Sequence, residues 1–323
     1  MKKTLTFLLK ATVSIALIWY LLSKTELSEV FEALKSATLL WLILAFSLLY
    51  VGKFLTAYRW QLLLNAQGIH IPLRTLIASI FVGQFFNSFL PTTVGGDAMR
   101  VYDTAAQSKE ATKSITSVFV DRLIGVLALA MLAVVGVAYG YLQGQDVSYF
   151  VWLAIGVFAL CLVGFVIIFN QPAAVRVEGT VRALNFSRLA DKIRETYQAL
   201  NMVKGNNRVL VNAFLLSIAL QINVVFFYYF TGRSINLGVP VLYFFIIVPV
   251  ALVILLVPFS INGIGIREGI FVFLLTGLMV PPQLAIAFSL LSFGLTLTQG
   301  LLGGIIFALR GANLSMAGTN RMT

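Results

Sequence analysis

Cysteine, histidine and acidic residues are all scarce in this sequence. Its one cysteine, Cys161, has no partner for an intrachain disulfide and sits within an apolar run, where a thiol serves packing. Its one histidine, His70, stands in a short loop without the neighbours a metal site needs. Charged residues make up 11% of the chain, against about 25% in soluble domains. Of the 12 acids, only Glu268 lies beyond Glu195. Long apolar/polar alternation is missing too, which excludes a transmembrane β-barrel. So are Gly-x-Ser-x-Gly, His-Glu-x-x-His, a phosphate-binding loop and any Cys/His cluster; Gly263-x-Gly265 follows no strand and is no dinucleotide fingerprint. Neither an enzyme motif nor a cofactor site is expected.

What is present is apolar surface. Hydrophobic residues are 59% of the 323 and the mean hydropathy is +0.95. The expectation is an all-α, polytopic membrane protein forming a single integral membrane domain, residues 1–323. The net charge of +11 belongs to cytoplasmic loops by the positive-inside rule and does not imply nucleic acid.

Apolar runs give about six full spans. The first follows Lys2, Lys3 and Lys10 and runs to Leu22; with no small-residue cleavage site after it, it reads as a retained helix. The others cover Leu39–Leu64, Val118–Tyr141, Val151–Phe169, Leu210–Phe230 and residues 284–309. Between 170 and 208, seven basic residues face three acids, the strongest cytoplasmic signal. There Leu189, Ile193, Leu200 and Val203 recur at the spacing of an amphipathic surface helix. Both termini are expected in the cytoplasm of a bacterium, with the chain in its inner membrane.

Two stretches break this pattern. Pro91-Thr-Thr-Val-Gly-Gly-Asp-Ala-Met-Arg100 and Pro258-Phe-Ser-Ile-Asn-Gly-Ile-Gly-Ile-Arg267 each place an arginine nine residues after a proline, with glycines between. Superposed, Gly96 meets Gly263 and Arg100 meets Arg267. Proline and glycine interrupt helices. At membrane depth an interrupted backbone survives only inside protein or beside a wet cavity. Segments 75–113 and 242–280 are therefore expected to be re-entrant hairpins, one in each half (1–169 and 209–323), and entered from opposite sides. Such an inverted repeat places a binding site near the midplane. Arg267 and Glu268 stand there in a segment otherwise without charge, as do Asp97 and Arg100 in the first break. Buried charges of this kind mark a functional site, with a pair locking two half-helices as the structural alternative. Half-helix starts and arginines together suit an anion. Asp121 and Arg122 point different ways on their helix and need separate partners. Arg59, with Lys53, Tyr58 and Trp60, lies within reach of a lipid phosphate.

These residues carry a resemblance. Arg59-Trp60-x-x-Leu-Leu, Asn87-x-x-x-Pro91-x-x-x-Gly95-Gly96-Asp97-x-x-Arg100, Asp121-Arg122-x-x-Gly125 and Asn262-Gly263-Ile-Gly265-Ile-Arg267-Glu268 resemble the membrane region of the lysylphosphatidylglycerol synthase/flippase family over nearly the whole chain. Asp121 departs from the glutamate frequent there. The resemblance implies a flippase-like protein without the soluble aminoacyl-transferase domain. Its partner would be a membrane lipid with a phosphate-containing headgroup, anionic or aminoacylated, phospholipid or polyprenyl-linked. Arg59, Arg100, Arg122 and Arg267 are the candidates for phosphate; Asp97, Asp121 and Glu268 for an amino group or coupling proton; Asn87, Gly95, Gly96, Asn262, Gly263 and Gly265 for the breaks that frame the site. Self-association or a separate lipid synthase partner stays open. The alternatives are a membrane transferase or hydrolase using a carboxylate as base, or an accessory subunit of a synthase.

Overall fold

The computed structural model describes residues 27–89, 95–142, 171–183, 207–255 and 263–319, with isolated positions between 144 and 194. Among the described residues every regular element is a helix, as expected. In chain order these are α1 (Leu27–Lys35), α2 (Leu39–Ala66), α3 (Leu73–Phe89), α4 (Gly95–Ser108) and α5 (Ala111–Leu142). Then come α6 (Gln171–Ala183), α7 (Asn207–Ser234), α8 (Val241–Leu255), α9 (Ile266–Thr276) and α10 (Pro282–Thr319). Helices α2, α5, α7 and α10, the last counted to Arg310, are long and apolar enough to cross a bilayer. The protein is a multi-pass membrane protein. The first expected span, most of 151–169, and Leu189, Ile193, Leu200 and Val203 lie outside the described residues, as do Pro91, Pro258 and Asn262.

Helices α3 and α8 have 17 and 15 residues. At 1.5 Å per residue their described lengths are about 25 and 22 Å. Each is followed by a shorter helix that packs against it, α4 of 14 residues and α9 of 11, and the two pairs form helical hairpins.

The two hairpins pack reciprocally. In the first, α3 lies against α10 and α4 against α5; in the second, α8 lies against α5 and α9 against α10. Each hairpin therefore bridges the two halves. Exchanging α2–α5 for α7–α10 reproduces the remaining neighbours as well: α2 with α3 becomes α7 with α8, and α2 with α5 becomes α7 with α10. The α2–α7 pair maps onto itself. Glycines make the cross-contacts possible. A Cβ on Gly136 of α5 would stand 2.5 Å from the Phe245 carbonyl oxygen of α8, and one on Gly303 of α10 would overlap the Phe81 carbonyl of α3. The interval from Gly136 to Gly303 is the interval from Gly96 to Gly263 and from Arg100 to Arg267. One spacing thus relates the glycines and arginines of the two stretches and the glycines that pack against the two hairpins.

The second hairpin is seated on an aromatic cluster. Phe271 of α9 meets Phe288 of α10 edge-on at 5.2 Å and Tyr228 of α7 at 5.3 Å, while Phe244 of α8 meets Phe288 at 6.0 Å. Burial of such rings, with their preferred tilted geometry, is a large packing contribution. The first hairpin is additionally tied to α10 by ions: Arg310 donates to Asp103 at 2.9 Å and to the Thr75 carbonyl at 3.4 Å.

Candidate functional site: a cationic cavity between the two broken hairpins

Each break satisfies its own helix start. At α4, Gly96 N–H donates to the Asn87 side-chain oxygen at 2.8 Å. Asn87 sits on α3, so one side chain closes the hairpin and fills one of the four donors a helix start leaves open. The arms approach so closely that a Cβ on Gly83 would lie 2.9 Å from the Gly96 carbonyl. A Cβ on Gly96 would overlap the Gly83 carbonyl oxygen and the Asn87 side chain, so Gly96 is required at the start of α4. At α9, Gly265 N–H donates to Glu268 Oε2 at 2.6 Å. Glu268 is the third residue of that helix, the position from which a glutamate reaches back. Its other oxygen accepts from Ser289 at 3.4 Å. Gly263 and Gly265 have φ of 75° and 84°, a region side-chain-bearing residues avoid. Glu268 therefore completes a helix cap, while Arg267 lies with its guanidinium 4.4 Å from the Phe293 ring centre.

The first break carries an ion chain. Arg59 of α2 donates from Nε to Asp121 Oδ1 at 2.6 Å and from Nη1 to Ser217 at 2.6 Å. Arg100 of α4 donates to the other Asp121 oxygen at 2.9 Å. Its guanidinium lies 4.2 Å from the Trp60 ring centre, and Trp60 donates to Ser117 at 3.1 Å. Arg100 also stands 3.7 Å from Asp97, which Arg122 meets at 2.6 Å. Charges thus alternate through Arg59, Asp121, Arg100, Asp97 and Arg122. Neighbours Asp121 and Arg122 do take separate partners, as their positions on a helix demand. Arg59, Arg100 and Asp121 are buried, whereas the Arg122 side chain is 43% exposed. Charges this deep persist only when paired and hydrogen-bonded.

A cavity of about 480 Å³ opens between the two breaks, within the range of small-ligand sites. From the first half it is lined by Arg59, Asp121, Arg122 and Asn87, and by Gly96, Asp97 and Arg100 of the break itself. The second half contributes Arg267 above Phe293 and Ser292. Of the sequence-predicted site residues, Gly95, Gly263, Gly265 and Glu268 frame the breaks rather than line the cavity; Asn262 lies outside the described residues.

The lining also includes residues that were not among the sequence candidates, Lys53, Gln84 and Gln221 among them. Lys53 lies six residues before Arg59 on α2, lines the same cavity, and donates to Gln84 Oε1 at 2.6 Å. Gln84 donates in turn to Ser88 at 3.1 Å. Gln221 donates to the Gly125 carbonyl at 3.2 Å. The signal for Lys53 was its helical spacing with Thr56 and Arg59, masked by the aromatic residues that make this stretch resemble a membrane interface.

The fold and the site together define a multi-pass helical membrane protein with a charged internal cavity. The family described as "Lysylphosphatidylglycerol synthase TM region" matches residues 7–304. The chain belongs to that family. It is also 22% identical over 280 residues, covering 80% of this chain and 82% of the relative, to a protein described as "UPF0104 membrane protein" from Methanothermobacter thermautotrophicus.

Proposed function

We propose that the protein translocates a lipid with a phosphate-containing headgroup between the leaflets of a bacterial inner membrane, without covalent chemistry on the lipid. The observation that carries this reading is the cavity shared by both breaks, lined by Lys53, Arg59, Arg100, Arg122 and Arg267 against Asp97 and Asp121. Guanidinium groups suit phosphate because their fork of donors matches its oxygens. The headgroup would occupy the cavity while its chains stay in the hydrocarbon. Asp121 and Asp97 would space and orient the arginines.

The reciprocal packing supports an alternating-access mechanism. Each hairpin contacts spans of both halves, so rocking one half against the other would open the cavity first to one side and then to the other. This reading includes about six spans, two re-entrant hairpins entered from opposite sides, and cytoplasmic termini. Family membership supports lipid handling.

The test is headgroup movement in proteoliposomes containing the purified protein and a trace of fluorescent lipid, with Arg267→Ala beside the parent chain. Movement by the parent and its loss in the variant, at equal insertion and equal thermal midpoint, is the expected result. Unimpaired movement by the variant refutes the assignment of the second break to the site.

A further inference from the structure

We propose that the cavity selects a headgroup ending in a phosphate with about two negative charges, a phosphomonoester or diphosphate, over zwitterionic and aminoacylated headgroups, and that Lys53 sets this preference. This narrows the translocation reading and rests on it for the lipid nature of the ligand.

The argument is one of charge. The ion chain Arg59–Asp121–Arg100–Asp97–Arg122 alternates in sign and keeps one positive charge in excess. Lys53 adds a second. Its ammonium is met by the Gln84 amide oxygen at 2.6 Å. That amide is oriented for the task, since its nitrogen donates to Ser88. An amide solvates an ammonium without cancelling its charge. Among the described residues no carboxylate lies within ion-pair distance of Lys53.

Even with Arg267 counted as balanced by the adjacent Glu268, four cations face two carboxylates around one cavity. In surroundings of low dielectric an uncompensated charge is costly, and a ligand of opposite charge removes that cost. A phosphodiester brings one negative charge, a zwitterion none in sum, and an aminoacylated headgroup adds positive charge to a site already in excess. A terminal phosphate alone matches the surplus. Lys53 is the specificity residue because the other lining cations of the first half already have carboxylate partners.

The experiment is lipid binding to the full chain in nanodiscs, read by native mass spectrometry. The probes are dioleoyl phosphatidic acid, dioleoyl phosphatidylglycerol and lysyl-phosphatidylglycerol, with glycerol 3-phosphate as the soluble form of the phosphomonoester. The expected order is phosphatidic acid first and the lysyl lipid last. Lys53→Gln should reduce the preference for phosphatidic acid over phosphatidylglycerol about tenfold, and Lys53→Arg should retain it. Equal or better binding of the lysyl lipid overturns the proposal, as does a Lys53→Gln variant whose preference is unchanged. Competition by glycerol 3-phosphate as strong as that of phosphatidic acid overturns the lipid source. A preference that persists in a protein unable to move any of these lipids in proteoliposomes sinks the transport reading and leaves the charge selection standing. Movement at one rate whatever the headgroup charge does the reverse.

Discussion

Replacing Asp121 by Asn tests the ion chain at its centre. The substitution keeps the shape of the side chain and removes its charge. Asp121 accepts from Arg59 at 2.6 Å and from Arg100 at 2.9 Å. Each is a charge-assisted hydrogen bond, worth about 1.5–3 kcal/mol to stability. Losing both would cost about 3–6 kcal/mol, and an amide oxygen that still accepts one of them returns about 1 kcal/mol. Two buried guanidinium groups are then left beside each other without a counter-charge, so the net loss is about 3–5 kcal/mol, the range for breaking a buried pair. Arg59 keeps Ser217 and Arg100 keeps the Trp60 ring, so the loss should not exceed this range. The assay is thermal unfolding in detergent followed by intrinsic fluorescence, where a fall of roughly 5–10 °C is expected. Adding Arg59→Gln to Asp121→Asn should recover part of the fall, because it removes one of the stranded charges. A single variant within about 2 °C of the parent would show that the chain of charges does not hold the hairpin.

Gly303→Ala places a methyl group on the Phe81 carbonyl and should destabilise by about 1–3 kcal/mol; Gly136→Ala should do the same at Phe245, and a thermal midpoint unchanged in both would contradict the reciprocal packing. Glu268→Ala removes the acceptor of a buried Gly265 N–H and should cost about 1–3 kcal/mol, with amide hydrogen exchange rising at the start of α9 first. Single cysteines at Lys109 and Leu73 in a Cys161→Ala background should react with a membrane-impermeant reagent only from the cytoplasmic side. Those at Gly238 and Pro282 should react only from outside, and either pair split across the membrane would end the inverted-repeat reading.

Composition and runs of apolar residues determined the class. A chain with 59% hydrophobic residues and stretches as long as α2, α5, α7 and α10 must satisfy its backbone within helices, wherever they end up packed. The glycines of the two stretches were legible for a similar local reason: Gly95 and Gly96 open α4, and Gly263 and Gly265, at positive φ, precede α9. Pairing Gly96 with Gly263 and Arg100 with Arg267 was likewise a matter of spacing along the chain. Partners were a different matter. Arg267 and Glu268 are adjacent in sequence, yet Glu268 turns back to its own helix start and Arg267 lies over Phe293. Asp121 takes Arg59 from 62 positions away, and Lys53 lines the same cavity as Arg267. Only the tertiary packing decides such meetings, because the helices carrying these side chains are brought together by glycine contacts and aromatic stacking that no local pattern encodes.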